Sequence, residues 1–305
     1  MFESRWRVSP AYQEDRADDF VAAVNQIADE KGDELKHTDI AHLDVNHPGG
    51  HQGIDKFLVD YPLQPGASVF EVGCGYGGTS RHVASKCDVN IFGIDYLSHC
   101  AEASQLANHK LGMTQIHHTQ GNITTIDLPE NTYDCAISIT VFMHILETEG
   151  YSNIFKTLKP GGLFYFEDYY FVRDRSTFTE EEAKLTETRV MDGVHTREAR
   201  TQTFTSAGFE IVEDSEFGQS WSEYAWDRAE RLLKAHNEGT VVLEPIQYRQ
   251  FVETSPYLTC DLEHYTLEEL KSRYPNLDKI LDIDYIVFRK PRLTKAHRVI
   301  ARKPR

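Results

Sequence analysis

Apolar positions recur at helical spacing across residues 17–28 (ADDFVAAVNQIA), so the spacing predicts an early helix. Asn46-His47-Pro48-Gly49-Gly50 reads as a loop, Ile54–Val59 as a further helix, and Pro65-Gly66 as a turn. From there the pattern alternates. Short apolar runs at Ser68–Val72, Val89–Ile94, Gln115–Thr119, Tyr133–Ser138, Leu163–Glu167 and Phe209–Val212 predict strands. Helical stretches separate them, among them one opening at Ser80, one over Ser98–Leu111, and one closing at Ile154–Leu158 before the turn Lys159-Pro160-Gly161-Gly162. Strands alternating with helices in this way predict an α/β fold with a doubly wound, mostly parallel sheet. The rhythm breaks at about residue 218. Helical runs rich in aromatics follow, with Trp221, Tyr224, Trp226, Tyr248 and Tyr257, before a last strand at His297–Lys303. The expectation is seven strands, an N-terminal helical cap over 1–58, a core over 59–217, a helical insertion over 218–295 lying on the ligand-binding edge, and a final strand within 296–305.

Composition narrows the class. Forty per cent of the 305 residues are apolar, enough to bury a core. No apolar run approaches the roughly 18 residues a membrane helix needs. The N-terminus lacks the apolar centre of a signal peptide, so a cytoplasmic protein is expected. The five cysteines (Cys74, Cys87, Cys100, Cys135, Cys260) are odd in number and contain no CxxC pair, which fits reduced thiols and no cysteine-built metal site. The formal charge is −16, and the last stretch, Arg289–Arg305, is basic and free of acids. The acidic remainder repels nucleic acid and anionic membrane, and it tolerates a cationic substrate.

Candidate chemistry gathers after the first two strands. Glu71-Val72-Gly73-Cys74-Gly75-Tyr76-Gly77-Gly78 lies between a strand and a helix, where glycines let backbone turn tightly and approach a ligand. Gly73, Gly75 and Gly78 also satisfy GxGxxG, so this loop alone does not choose between a dinucleotide and another nucleoside. Asp95 ends the second strand, where a carboxylate can accept both ribose hydroxyls. His42, His47 and His51 sit in or near a loop without an evident fourth ligand, so no metal is expected.

Read together, Val69–Gly78, Gly93-Ile94-Asp95, Gly121-Asn122-Ile123, Tyr133–Ser138 and Leu158-Lys159-Pro160-Gly161-Gly162 resemble the class I S-adenosylmethionine-dependent methyltransferases. An acid two residues before the first glycine and the LKPGG turn are not dehydrogenase features. Within that class the chain is most similar to the phosphoethanolamine and sarcosine/dimethylglycine N-methyltransferases, on the Asn46–Gly50 loop and the Ile54–Leu58 helix. The resemblance implies a Rossmann-like fold and S-adenosylmethionine as cofactor. It implies that His47 and Gly49 belong to a loop closing over the cofactor, and that Glu71, Gly73, Gly75 and Gly77 form its methionine-side loop. Asp95 would hold the ribose, Tyr96 would pack beside the adenine, and Asn122 and Ile123 would sit at the adenine edge. Thr140 and His144 would stand beside the sulfonium, with Tyr169 on the acceptor.

Two departures matter. Thr140 occupies the position of the Asp that phosphoethanolamine enzymes pair with the histidine, and their N-terminal tyrosine has no clear counterpart. The expected reaction is methyl transfer to a small polar metabolite, an amine in the first instance, with a small thiol or thioether acid as the alternative. An amine must arrive neutral, so a base is needed, and His144 is the candidate, either as base or as an orienting group. A nicotinamide oxidoreductase and a non-catalytic nucleoside-binding scaffold are the readings of other classes. A monomer or homodimer is expected.

Overall fold

The computed structural model describes residues 14–44, 49–146, 148–188, 191–239, 266–275 and 293–305. Three helices come first: α1 (Glu14–Lys31), α2 (His37–Asp44) and α3 (Gln52–Asp60). Then β1 (Ala67–Val72), α4 (Gly78–Lys86), β2 (Val89–Asp95), α5 (Ser98–Lys110), β3 (Ile116–Gln120) and β4 (Tyr133–Ile139) follow. After them come α6 (Glu149–Thr157), β5 (Leu158–Phe171), α7 (Glu180–Thr188), α8 (Arg197–Ser206), β6 (Glu210–Glu216), α9 (Gly218–Asn237), α10 (Leu267–Arg273) and β7 (Thr294–Arg302). The seven strands form one sheet in the order β3-β2-β1-β4-β5-β7-β6, and β7 runs antiparallel to both its neighbours.

The sheet is buried on both faces because successive side chains point to opposite sides. One face carries Val69, Ile91, Cys135, Ile137 and Tyr165 against Ile54 and Phe57 of α3 and Val83 of α4. The other carries Phe70, Ala136, Phe164 and Phe166 against Tyr151 and Ile154 of α6 and Phe204 of α8. Each large side chain so buried contributes about 1.5–3 kcal/mol relative to exposure. A satellite cluster joins the cap to the core: Ala17, Phe20 and Val24 of α1 and Ile40 of α2 pack with Cys100, Ala103 and Ala107 of α5. Phe20 also stacks on Tyr76, at 4.7 Å between ring centroids, so the first helix reaches the glycine loop.

The sequence-derived elements differ from these in three places. The LKPGG stretch is part of β5, not a separator before it. Gly161 N donates to Lys303 O (2.8 Å) and Lys303 N donates to Gly162 O (2.9 Å), so the turn is hydrogen-bonded to the end of β7. The register shift between Tyr133 and Cys135 accommodates the extra residues. The last strand begins at Thr294, ahead of the expected 296, because Leu163–Phe171 pairs with it along its whole length. The sixth strand extends to Glu216 for the same reason. Tyr248 and Tyr257 of the insertion, and Cys260, lie outside the described residues. No helix among the described residues is long and apolar enough to cross a membrane.

The strand order reverses between β1 and β4. Ligands of open α/β sheets sit at such a switch point, outside the carboxyl ends of the strands.

Candidate active site

Glu71–Gly78 leaves β1 at this switch point. Gly73 and Cys74 both donate their amides to Ile94 O, at 2.8 and 3.0 Å, which folds the loop back over β2. Gly73 has φ 72°, and a Cβ there would crowd Val141 (Cβ at 3.1 Å). Gly75, at φ 50°, is different: a Cβ built there meets no described atom within 4 Å. Its amide donates to Asp95 Oδ2 (2.8 Å), and Leu97 N donates to Asp95 Oδ1 (3.0 Å). Asp95 therefore clamps the glycine loop. Burial raises its pKa against these two amide bonds, and each oxygen retains a further acceptor direction.

Beneath the loop lies a buried polar chain that sequence reasoning missed. Ser104 Oγ lies 2.6 Å from His118 Nδ1, His118 Nε2 lies 3.0 Å from Ser80 Oγ, and Ser80 donates to Glu71. Those partners assign the tautomer: Ser104 donates to Nδ1 and Nε2–H donates to Ser80. Burial holds His118 down to about 3, so the ring is neutral. Burial pushes the Glu71 carboxyl up to about 8, against the pull of Ser80 and the Arg81 charge. Alongside, Arg81 donates to Asp44 Oδ2 (2.8 Å), Asn108 Oδ1 (2.8 Å) and Tyr76 O. This buried pair ties α2 of the cap to the loop. The one cue in the sequence was His118 at the inward position of an alternating strand. His51, also in the cap, stacks on His82 (3.9 Å between centroids), and His82 bonds Asp55 (2.7 Å).

The rest of the expected cofactor set is spread along the same edge. Tyr96 follows Asp95 and is exposed. Ile123 is buried, and Asn153 donates to its carbonyl (2.8 Å). Asn122 Oδ1 accepts from Thr124 N (3.0 Å) and Thr124 Oγ1 (2.9 Å). Both its lone pairs are thus engaged, which leaves the side-chain amide N–H groups, or backbone, for a ligand. Gly49 lies beneath the Trp221 ring, and His47 lies outside the described residues.

The catalytic candidates occupy the turn after β4. Thr140 has φ 55°, a strained value for a β-branched residue of the kind that clusters at functional sites. Its amide donates to Glu167 O (2.8 Å). A 3-10 turn, Phe142–His144, follows and presents His144 half-buried. Asp168 holds this turn: it accepts from Met143 N (2.9 Å) and Tyr169 N (2.7 Å). Asp168 is fully buried, and burial lifts its pKa to about 6 despite the Arg200 charge. Arg200 donates to Tyr151 Oη (2.5 Å) and Gly193 O (3.1 Å), and Gly193 N donates to Met143 O (2.8 Å). Tyr169 is turned inward. It packs with Met143, Phe171, Met191, Val194 and Trp221, meeting Trp221 edge-on at 5.0 Å. The structure thus brings Gly75, Asp95, Thr140 and His144 to one edge, whereas Tyr169 belongs to the aromatic cluster behind it.

Residues 69–162 match the family described as Methyltransferase domain. A sterol 24-C-methyltransferase of Yarrowia lipolytica is 28% identical over 170 residues, covering 54% of this chain and 45% of that protein. A phosphoethanolamine N-methyltransferase of Triticum aestivum is 31% identical over 188 residues, covering 61% and 34%. The chain spans about half the length of the curated relatives it matches. Among solved structures, phosphoethanolamine N-methyltransferase 2 of Haemonchus contortus, in complex with phosphomonomethylethanolamine and S-adenosylhomocysteine, aligns with a TM-score of 0.66 at 19% identity. That alignment covers 86% of this chain and 55% of that one. A candidate sarcosine dimethylglycine methyltransferase from Galdieria sulphuraria aligns at 0.60 and 14% identity, covering 83% and 84%. At these identities the structural likeness speaks to fold alone.

Proposed function

We propose that this chain, whose core at residues 69–162 is a class I methyltransferase domain, transfers a methyl group from S-adenosylmethionine to the nitrogen of a small amine. The observation that carries the reading is the convergence of three strand ends. The open side of Gly75, the Asp95 carboxylate and the Thr140 turn with His144 lie at the carboxyl ends of β1, β2 and β4. This cradle fits the nucleoside: an added Cβ at Gly75 meets no described atom within 4 Å, so a ligand can approach the backbone there. Asp95 would accept the ribose hydroxyls, and Tyr96, Asn122 and Ile123 would meet the adenine.

S-adenosylmethionine supplies an electrophilic sulfonium methyl when bound. The protein's own work is to align and to deprotonate. The Asp168 carboxylate and the Gly193 backbone fix the turn that carries His144. A neutral imidazole there takes the proton of an ammonium acceptor, so that the nitrogen lone pair is free for in-line attack. In this reading residues 1–58 cover the cofactor, 59–217 bind it, and the insertion at 218–295 closes the acceptor side. The acidic surface suits a cationic acceptor.

A specific observation favours a second reading. Sterol C-methyltransferases are among the relatives, at 28% identity over 170 residues, which favours a carbon acceptor on an apolar molecule. A thiol acceptor has no comparable support. The deciding assay is S-adenosylhomocysteine release from a panel of small amines, phosphobases, thiols and isoprenoid alcohols. Turnover of amines supports the first reading, and turnover confined to isoprenoids overturns it. Titration with S-adenosylhomocysteine and with NADH separates both from an oxidoreductase. His144→Ala is expected to lower kcat about 10²–10⁴-fold with an amine while nucleoside affinity holds. Unchanged kcat removes His144 from the mechanism.

A further inference from the structure

Glu167 is one of the least accessible carboxylates among the described residues, at 1% exposure, yet it stands next to the catalytic turn. An isolated carboxylate there would be costly to bury, so its donors matter. Tyr165 Oη donates to Oε1, and Trp221 Nε1 of α9 donates to Oε2 (3.3 Å). The backbone carbonyl of the same residue accepts from the strained Thr140. The cap closes on this pair from the other side. Gly53 of α3 lies so near that a Cβ would overlap the carboxyl, with Cδ at 2.9 Å. A Cβ at Gly49 would enter the Trp221 ring, with Cε2 at 3.2 Å, and one at Gly50 would enter Tyr224 of α9, with Cδ2 at 2.7 Å. The glycines of the 49–53 segment therefore have a packing reason distinct from any ligand.

The geometry points to Glu167 as a positioning residue: its carboxyl latches Trp221 of the lid helix α9, and with it the glycine cap at 49–53, over the acceptor side of the site. Cap and lid meet at this buried contact, so neither can lift without breaking the indole–carboxylate bond or exposing it. Opening of the latch is then the motion that admits acceptor and releases S-adenosylhomocysteine, a step that rests on the methyltransferase reading above.

The test measures opening directly. Hydrogen exchange of the peptides covering residues 49–60 and 218–230 is followed in the protein without added nucleoside, and S-adenosylhomocysteine release is followed by stopped flow. Trp221→Phe keeps an aromatic ring and removes the N–H, and it is expected to speed exchange in both segments about tenfold, the scale of a lost hydrogen bond to a charged group. Glu167→Gln keeps an acceptor oxygen for the indole and restores wild-type exchange, whereas Glu167→Ala behaves as Trp221→Phe. Trp226→Phe is the control, since Trp226 is equally buried on the same helix but its Nε1 has no hydrogen-bond partner among the described residues. It leaves both segments unchanged. Should Trp221→Phe not fold, the Glu167→Ala and Glu167→Gln pair decides alone. Equal effects of Trp221→Phe and Trp226→Phe, exchange in only one of the two segments, or no rescue by Gln overturns the latch. The exchange readout needs no nucleoside. A wild-type protein that fails to bind S-adenosylhomocysteine sinks the methyltransferase reading while the exchange result still judges the latch.

Discussion

Gly75→Ala separates folding from binding at the proposed nucleoside cradle. The backbone there has φ 50°, and the added methyl meets no described atom within 4 Å. The only structural cost is a left-handed alanine, about 1–2 kcal/mol. The amide bond to Asp95 survives, because the backbone N–H is unchanged. Against a typical domain stability of about 5–15 kcal/mol the variant folds. The methyl, however, projects into the space where the nucleoside would lie against the loop. Overpacking of a close contact costs about 1–3 kcal/mol, so affinity should fall about 10- to 100-fold. Gly66→Ala provides the matched control: φ is 77° and its surroundings are equally open, but it lies before β1, at the opposite end of the strand. Both variants should lose similar stability in urea denaturation, and only Gly75→Ala should weaken S-adenosylhomocysteine in titration calorimetry. Unchanged affinity in Gly75→Ala would refute the placement of the nucleoside on this loop.

Three further outcomes are expected. Gly53→Ala should destabilise the protein by about 1–3 kcal/mol through overlap with the Glu167 carboxyl, although alanine is favoured over glycine in a helix by up to about 1 kcal/mol; a variant more stable in urea than wild type would contradict the packing. Thr140→Gly relieves the φ of 55°, so its stability should hold or rise by about 1 kcal/mol, where such a truncation ordinarily costs; turnover should fall, and a loss of stability with full turnover would show that the strain is not real. The folded-state pKa of Glu71 is raised from 4.5 to about 8, so the folded chain keeps a proton that the unfolded chain releases between those values. Its contribution is fully present below 4.5 and is lost as pH rises through about 8, at up to about 1.4 kcal/mol per pH unit. Glu71→Gln should remove that slope, so its stability advantage over wild type should widen with rising pH. Parallel thermal-denaturation curves across the window would count against a neutral Glu71.

The alternation of strands and helices, the glycine loop and Asp95 were legible because each depends on local spacing. A strand needs period two, a tight turn needs glycine, and a ribose acid needs only to end the next strand. What was illegible depends on residues brought together from distant segments. Asp44, Arg81 and Asn108 meet under the loop from three helices, and none carries a local signature. Glu167 was visible only as the last residue of an expected strand, and Asp168 as the residue that follows it. Their opposite jobs, one facing α9 and α3 and the other holding the Phe142–His144 turn, follow from the side of β5 each occupies. Tyr169 read as an acceptor contact because aromatics at that edge can meet cations, and only packing with Trp221 shows its inward course. The LKPGG stretch was misread as a break because its bonds run to Lys303, far along the sequence.

The placement of α9 between two adjacent strands has a consequence for change over time. Chain leaves the sheet at Glu216 and re-enters at Thr294, and Phe217 N donates to Ala296 O (3.0 Å), so exit and entrance are stitched side by side. A segment tethered like this is a detachable module. Its length can change while the pairing of β6 with β7 stays as it is, provided that α9 keeps Trp221 on Glu167 and Tyr169. On the proposed methyltransferase reading, grafting residues 238–293 from a relative with another acceptor, with α9 retained, is expected to move selectivity without rebuilding the scaffold.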